Sequence, residues 1–377
     1  MSSYQDYINA LKSGIYNQKI KIELLRTDET PRENITSLIS NTNGNLSVKR
    51  TNGIRRSCNF DIINLDNIYI PNTETFFIRQ KFKLYLGLEL PDGTDYFLPQ
   101  GIYIIEDPSV TSNFSESYIN IQASDKFSLL SSIGGELSYT YIINIGTDIS
   151  TAIQAVLTLG GDPKRPIIDA SLVGLKTVYT MTYEAGSKLG DILIDLAQIY
   201  SCSCFYNENG QLVISKDIDD ESKSSLWDFN TSEFSYMGGT NQFKWSELFT
   251  SVRVVGSNIS GATVSYKATN TNLLSPTSVS NLGFDRTFYY SKDTISTLQQ
   301  ATDLANYILK RKVTVQNSVQ ISSIAMFHLN PDELITITDE KLGLNEERFL
   351  IDGFSLSLST GGTLSINCVK SKEIPFI

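Results

Sequence analysis

The chain has 377 residues, with 31 Lys and Arg against 41 Asp and Glu; its net charge of −10 and pI near 4.8 argue against nucleic-acid binding by phosphate neutralisation. A length of this order allows roughly two to four domains with sizeable cores, and abundant Asn, Ser, Thr, Ile and Tyr favours β-structure over a helical bundle. No apolar run reaches membrane-spanning length, residues 1–7 lack the basic start of a signal peptide, and Cys58, Cys202, Cys204 and Cys368 show neither a disulfide framework nor zinc spacing.

In chain order, Tyr4, Tyr7, Ile8 and Leu11 predict a short helix over 4–14. Ile20, Ile22 and Leu24 alternate in a strand over 19–26, residues 41–45 read as a turn, and an extended run begins at Leu46. Cys58, Phe60 and Ile62 share one face of a strand within 53–64, as do Phe82, Leu84 and Leu86 within 81–89. Leu90-Pro91-Asp92-Gly93-Thr94 is turn chemistry, with Pro at an entry position and Asp-Gly for positive φ. Residues 1–130 are therefore expected to form a first tube-like β-barrel module of about six to eight short strands.

Composition changes near 131–135. Thr147-Asp148 predicts the cap of a helix carrying Ile149, Ile153, Val156 and Leu157, stopped at Gly160-Gly161-Asp162-Pro163. A second helix over 187–200 has the stripe Leu189, Ile192, Leu193, Leu196 and Ile199, then runs into Cys204-Phe205-Tyr206, a turn at 207–210 and a strand over 211–214. This α+β insert spans 131–225, with the acidic run 217–221 in its exit linker. The β pattern returns from Trp245 in 252–255 and 263–266. A helix interrupts it, with Ile295, Leu298, Ala301, Leu304, Ala305 and Ile308 on one stripe and Lys310-Arg311-Lys312 where the dipole favours cations. Strands over 319–324 and 334–338 and a closing hairpin complete a second β-barrel module with one helix, 226–377.

That hairpin alternates Phe354, Leu356 and Leu358 with serines, turns at Thr360-Gly361-Gly362-Thr363, and resumes with Leu364, Ile366 and Cys368. The same pattern occurs earlier. Tyr103, Ile105 and Val110 align with Phe349, Ile351 and Leu356 at one constant spacing; Ile119, Ile121 and Ala123 align with Leu364, Ile366 and Cys368 at a spacing one residue shorter. The chain carries one β-module twice. The expected fold is mainly β with an α+β insert: two similar tube-like β-barrel modules flanking a small helix–hairpin domain.

Residues able to carry chemistry form no constellation. His328 ends a strand with no Ser or Cys near it in sequence to act as a nucleophile, so a structural role is expected. Asp217, Asp219 and Asp220 lack the glycine and the terminal glutamate of a calcium loop. Glu346-Glu347 reads as solvent-facing charge rather than a glycosidase pair. Neighbours on a strand face opposite sides, so Arg55-Arg56 is no nucleic-acid surface, and one of the two is expected to bridge to an acid in the barrel or across a subunit interface. Most Tyr and Phe occupy core positions of strands rather than a sugar platform. No catalytic, cofactor-binding or metal-ligating residue is assigned, no cofactor is called for, and no enzyme activity is expected.

Three stretches in this order resemble the baseplate hub (tail hub) proteins of tailed bacteriophages and related contractile particles. They are 55–64 with Pro99-Gln100-Gly101-Ile102-Tyr103; the helix–hairpin 189–214 with Tyr206-Asn207-Glu208-Asn209-Gly210; and the C-terminal run from 308 through Leu329-Asn330-Pro331-Asp332-Glu333 to Leu356. The Asn-Pro-Asp turn is similar to the family's Pro-Gly-Asp turn, and the likeness covers nearly the whole chain. The resemblance implies a structural virion protein of the tail tip or baseplate, assembled in the host cytoplasm. It implies a homotrimer whose doubled barrels form a pseudo-hexameric ring, adapting a hexameric tail tube to a trimeric spike. Implied partners are the tail tube or a distal tail protein, the central spike or tape-measure protein and other baseplate proteins. DNA would pass without specific binding through an acidic lumen. The sequence stops at Ile377 just after the barrel, so no peptidase or receptor-binding extension is expected. The alternative reading is a carbohydrate-binding tail-tip adhesin, and a third is a cell-wall hydrolase.

Overall fold

A computed structural model of the chain describes residues 3–14, 16–64, 67–71, 76, 78–114, 116–132, 134–162, 164–200, 202–216, 223–243, 246, 248–257, 261–292, 295–313, 317–359 and 361–370. Helix α1 (Tyr4–Ser13) opens with a capping box: the Ser3 hydroxyl accepts from the Asp6 N–H, and the Asp6 carboxylate accepts from the Ser3 N–H at 2.8 Å. It ends at left-handed Gly14 and buries Tyr7, Ala10 and Leu11. Strands β1 (Asn17–Leu25), β2 (Pro31–Asn34), β3 (Ile39–Lys49), β4 (Arg56–Ile63), β5 (Lys81–Glu89), β6 (Asp95–Ser112) and β7 (Ser117–Asp125) follow. They pair antiparallel in the spatial order β3-β4-β7-β6-β5-β1-β2. The turn expected at 41–45 is instead part of β3, whose register against β4 shifts between Ile39 and Gly44. The ladder skips residues 40–43, so the irregularity of β3 falls where the turn was expected.

The insert comprises α2 (Ser128–Ser131), β8 (Tyr141–Ile143), α3 (Ile149–Leu159), β9 (Ile167–Ile168), β10 (Met181–Tyr183), α4 (Leu189–Gln198), β11 (Cys202–Tyr206) and β12 (Leu212–Lys216). Its own core includes Ile153, Val156, Leu193, Leu196, Cys204 and Ile214. It contains a repeat that the sequence reading missed: β8 to α3 and β10 to α4 are each strand, turn, helix, with Gly146 and Gly186 at positive φ. The two short strands pair with each other antiparallel.

After the insert come β13 (Trp227–Asn230), β14 (Tyr236–Phe243), β15 (Ser251–Ser257), β16 (Thr263–Thr269), α5 (Val279–Leu282), β17 (Thr287–Ser291), α6 (Leu298–Lys312), β18 (Asn317–Ile324), β19 (Leu334–Asp339), β20 (Leu344–Ser357) and β21 (Thr363–Lys370). The spatial order β14-β18-β21-β20-β19-β13 matches β3-β4-β7-β6-β5-β1 strand for strand. Register matches as well. Tyr103, Ile105 and Val110 face Asp125, Ala123 and Ile119, while Phe349, Ile351 and Leu356 face Lys370, Cys368 and Leu364. Each hairpin has its ladder irregularity just after the second aligned residue, beyond Glu106 and beyond Ile351. One difference is that β13 runs parallel to β19, whereas β1 runs antiparallel to β5.

Strands 252–255 and 263–266, expected in the second barrel, lie elsewhere. β15, β16 and β17 form a separate three-stranded sheet covered by α6, with a core of Val252, Val254, Ala301, Ala305 and Leu309. Alternation identifies a buried strand face, but not the sheet to which the strand belongs.

The two half-sheets are continuous. The distal part of β20 pairs antiparallel with β3, from Gly353 opposite Lys49 to Ser357 opposite Asn45, giving one 13-stranded sheet. A Cβ at Gly353 would stand 2.6 Å from the Val48 carbonyl oxygen, so this close approach requires glycine. A single core runs under both halves, including Leu46, Val48, Phe60, Ile121, Ile351, Leu356 and Ile366. Burying each such aliphatic side chain contributes about 1.5–3 kcal/mol.

Candidate functional site

Across its central strands the face of the sheet away from this core is a carpet of neutral polar side chains, whereas on β1 and β5 the same face carries Lys19, Lys21, Glu23, Lys83 and Glu89. Ser322, Ser365, Ser355, Ser47, Ser57 and Ser124 lie opposite one another across β18, β21, β20, β3, β4 and β7. A neighbouring row holds Asn45, Asn59 and Gln122, and the equivalent register positions of the second half hold Thr240, Gln320 and Asn367. The acids in these rows are Asp61, which accepts from Asn120 at 2.8 Å, and Glu106, which accepts from Ser124 at 3.0 Å. Lys49 is a cation on the same face, opposite Gly353. Hydroxyl and amide groups supply no net charge, so these central rows have little to hold phosphates and little to repel them.

The three stretches that carry the hub resemblance converge at one junction. Arg55 donates to Asp332 of the Asn-Pro-Asp turn at 2.7 Å, and Arg50 reaches the other oxygen of the same carboxylate at 2.5 Å. The Arg55 guanidinium also lies 3.3 Å from the ring centroid of Phe205 in the insert. Arg56 donates to Asn330 Oδ1 at 2.5 Å and to the Gln100 carbonyl at 3.2 Å, and stands 3.7 Å from Glu208. Both arginines are buried. Asp125 accepts from the backbone N–H groups of Arg55 and Arg56 at 2.8 and 2.9 Å, fixing their approach; burial nonetheless pushes its carboxyl up to about 6. Burial likewise raises Glu333 to about 7, although the carboxylate accepts from the Asn330 N–H at 2.6 Å. Asp332 adopts a positive φ of 70, a conformation that Asp tolerates in tight turns. The insert is also stitched through its backbone, the Gly53 N–H donating to the Cys204 carbonyl at 2.8 Å.

A second polar knot ties the β1–β2 turn to the insert. Lys81, Lys126 and Lys164 surround Glu29 at 3.2, 2.6 and 2.9 Å, and Lys126 also meets Asp162 at 2.8 Å. Tyr206 donates to Asp162 at 2.6 Å. Burial would raise the Glu29 carboxyl, but the lysines outweigh it and hold it at about 2. Nearby, a Cβ at Gly210, where φ is 68, would meet Ile102 Cδ1 at 2.7 Å, so glycine lets the insert's hairpin turn seat against β6.

The remaining residues weighed from sequence lie as follows. His328 is buried with its Nδ1 3.2 Å from the Tyr7 hydroxyl, which accepts from the Phe327 N–H at 2.9 Å; burial lowers its pKa to about 4, which favours the neutral ring. It locks α1 across both halves, packing also against Trp227. All four cysteines are buried free thiols. Glu347 pairs with Lys370 at 2.8 Å. Asp217, Asp219 and Asp220 lie outside the described residues. Among the described residues no cluster of three His, Cys, Asp or Glu could hold a metal ion, and no helix is long and apolar enough to cross a membrane. The sequence reading gave one arginine an acid partner; the structure gives Arg55 one in the second half and puts Arg56 beside the insert. It missed Asp125 and Asp332 as the acids that organise the pair, because neither is near Arg55 in sequence.

No family model and no curated protein matches this sequence. Solved structures do. The tail protein of Neisseria meningitidis MC58 superposes with a TM-score of 0.66 at 11% identity, covering 94% of this chain and 97% of that one. The 43 kDa tail protein of prophage MuSo2 from Shewanella oneidensis gives 0.63 at 13% identity, covering 95% and 100%. Prophage tail protein gp18 from Listeria monocytogenes gives 0.52 at 13% identity, covering 93% and 94%. With this coverage from end to end, and the mainly β architecture in place, the chain has the fold of bacteriophage tail proteins.

Proposed function

We propose that this chain is a structural hub of a phage tail or a related contractile particle. Three copies form a ring that presents six similar half-sheets to a hexameric tube and three inserts to a trimeric spike. The observation that supports this most is the doubled half-sheet, matched in strand order and register and joined edge to edge through β3 and β20. A protomer that already contains two repeats of a collar needs half the copies to complete it, and a head-to-tail contact closes a ring when its rotation divides the circle.

In this reading the polar face lines the channel and DNA slides past it. Serine and asparagine rows offer weak, exchangeable hydrogen bonds, while the scarcity of Lys and Arg on these central strands avoids the counterion release that anchors DNA. The buried junction of Arg50, Arg55, Arg56 and Asp332 fixes the angle between the half-sheets and the insert, so the two symmetries stay in register. Imaging of the assembled particle tests the proposal. Three copies at the end of the tail tube are expected; copies scattered on fibres, or binding of the isolated chain on a glycan array, would contradict it.

A further inference from the structure

Beside the knot around Glu29 lies a groove of about 460 Å³ between the first half-sheet and the insert. The end of β1 and the segment before β5 form one side, with Leu25, Arg26, Ile78 and Arg79; Leu129, Gly160 and Gly161 of the insert form the other. This volume falls in the range of pockets that hold a ligand and is large for a lone phosphate.

The charged side chains that line the groove are all cations: Arg26, Arg79 and Lys81. Lys81 is already paired with Glu29 and donates to the Thr27 carbonyl at 3.2 Å. Arg26 donates to the Pro31 carbonyl at 2.6 Å but forms no ion pair among the described residues, and Arg79 has neither a hydrogen bond nor an ion pair among them. Two uncompensated guanidinium groups in a chain of net charge −10 create a local field that selects an anionic partner. Arg79 also sits at a φ of 63, in the left-handed region where any side chain but glycine is strained. Its Nη1 lies 3.3 Å from where a Gly134 Cβ would stand, so the guanidinium reaches across to the insert. The strain persists with no polar contact inside the chain to offset it, which directs the use of this side chain outward.

The facing wall is backbone. Gly160 and Gly161 follow α3, and their carbonyls accept no backbone hydrogen bond among the described residues. Leu25 and Leu129 are buried beneath the groove, and Ile78 stands at its rim, 61% exposed.

We propose that this groove binds an extended acidic segment of a protein partner, in which aliphatic residues alternate with Glu or Asp. Its carboxylates meet Arg79 and Arg26, its backbone N–H groups donate to the Gly160 and Gly161 carbonyls, and an aliphatic side chain covers Leu129 and Ile78. A peptide fits better than DNA, because phosphates would leave the apolar surface uncovered and set anions against the carbonyl end of α3. The site lies within one chain, so it stands or falls independently of the three-copy ring.

A labelled peptide of alternating Glu and Leu, titrated into the full-length chain and followed by fluorescence anisotropy, tests the site. A dissociation constant below about 1 mM is expected, rising with salt. The same peptide with Gln in place of Glu should bind at least about tenfold more weakly. Arg79→Gly removes the guanidinium and frees the backbone; it too should bind at least about tenfold more weakly, while melting no lower than the native chain. Equal binding of the Gln peptide, equal binding by the Arg79→Gly chain, or no binding of the Glu peptide would each overturn the proposal. A lower melting temperature for Arg79→Gly would make the arginine a structural residue and overturn it as well. A single-stranded oligonucleotide that competes as strongly as the Glu peptide would show a phosphate site in place of a peptide groove.

Discussion

The two halves of the large sheet share strand order and hairpin register, and diverge where each meets its surroundings. In the first half the connection from β3 to β4 is the short arginine loop 50–55; in the second the equivalent connection from β14 to β18 is expanded into the lobe of β15, β16, β17 and α6. The first half keeps a long antiparallel β1 beside β5, where the second has only the short parallel β13 beside β19. The shared frame thus sets the repeat, while loops and edges break its symmetry so that the seam within the chain differs from the surfaces it exposes.

Four experiments sharpen that comparison. The largest effect is expected at the junction between the halves. Asp332→Asn removes the carboxylate that compensates two arginines, and a buried charge left without its partner costs about 3–5 kcal/mol. Asn retains tolerance for the positive φ, so chemical denaturation reads the charge alone; a loss below about 1 kcal/mol would show that the halves hold together without this pair. Next, Leu356→Ala at the internal seam should cost about 2–5 kcal/mol. Val110→Ala, at the counterpart position, should change monomer stability by less than about 0.5 kcal/mol. Equal losses at both positions would remove the distinction between a filled and an open edge.

The third experiment separates the two polar knots by pH. The Glu333 carboxyl is raised by burial to about 7, so its neutral form favours the fold. That contribution is complete below about 4.5, the ordinary glutamate value, and is lost as pH rises through 7. Glu333→Gln should therefore flatten a decline in stability between those values, by on the order of 1–2 kcal/mol. Glu29 works in the opposite sense: its pKa is held at about 2, so its contribution is present above 4.5 and fades as pH falls toward 2. Denaturation midpoints should lose their decline between 4.5 and 7 in Glu333→Gln and their rise between about 2 and 4.5 in Glu29→Gln. The smallest effect on stability is expected on the polar face, where Asn59→Lys and Gln320→Lys should each change folding by about 0.5 kcal/mol or less. Together they should slow DNA release from assembled particles, and unchanged release would argue that this face does not meet DNA.

Much of this frame was legible in the sequence because period-two alternation records which side of a strand meets a core. The pairing of Tyr103, Ile105 and Val110 with Phe349, Ile351 and Leu356 needed no further information. The final hairpin, α3 with its Asp148 cap, and the turn at Asp92-Gly93 were equally local. Partners distant along the chain were not legible. Arg55 and Asp332 are brought together only by the seam, and β15 and β16 alternate like barrel strands while pairing in another sheet. The insert's repeat escaped notice because its strands are three residues long, too short for a period to register. The expectation of an acidic lumen came from net charge, which does not say where along a strand the charges fall: the central strands carry serine, asparagine and glutamine away from the core, and β1 and β5 carry paired lysines and glutamates.

The account depends on one chain supplying two repeats of a collar, and rotational symmetry at two heights in the assembled tail tests it most directly. Power at six-fold is predicted in the layer of the large sheet, falling to three-fold in the layer of the insert. Six-fold symmetry in both layers would mean six chains, and would contradict it.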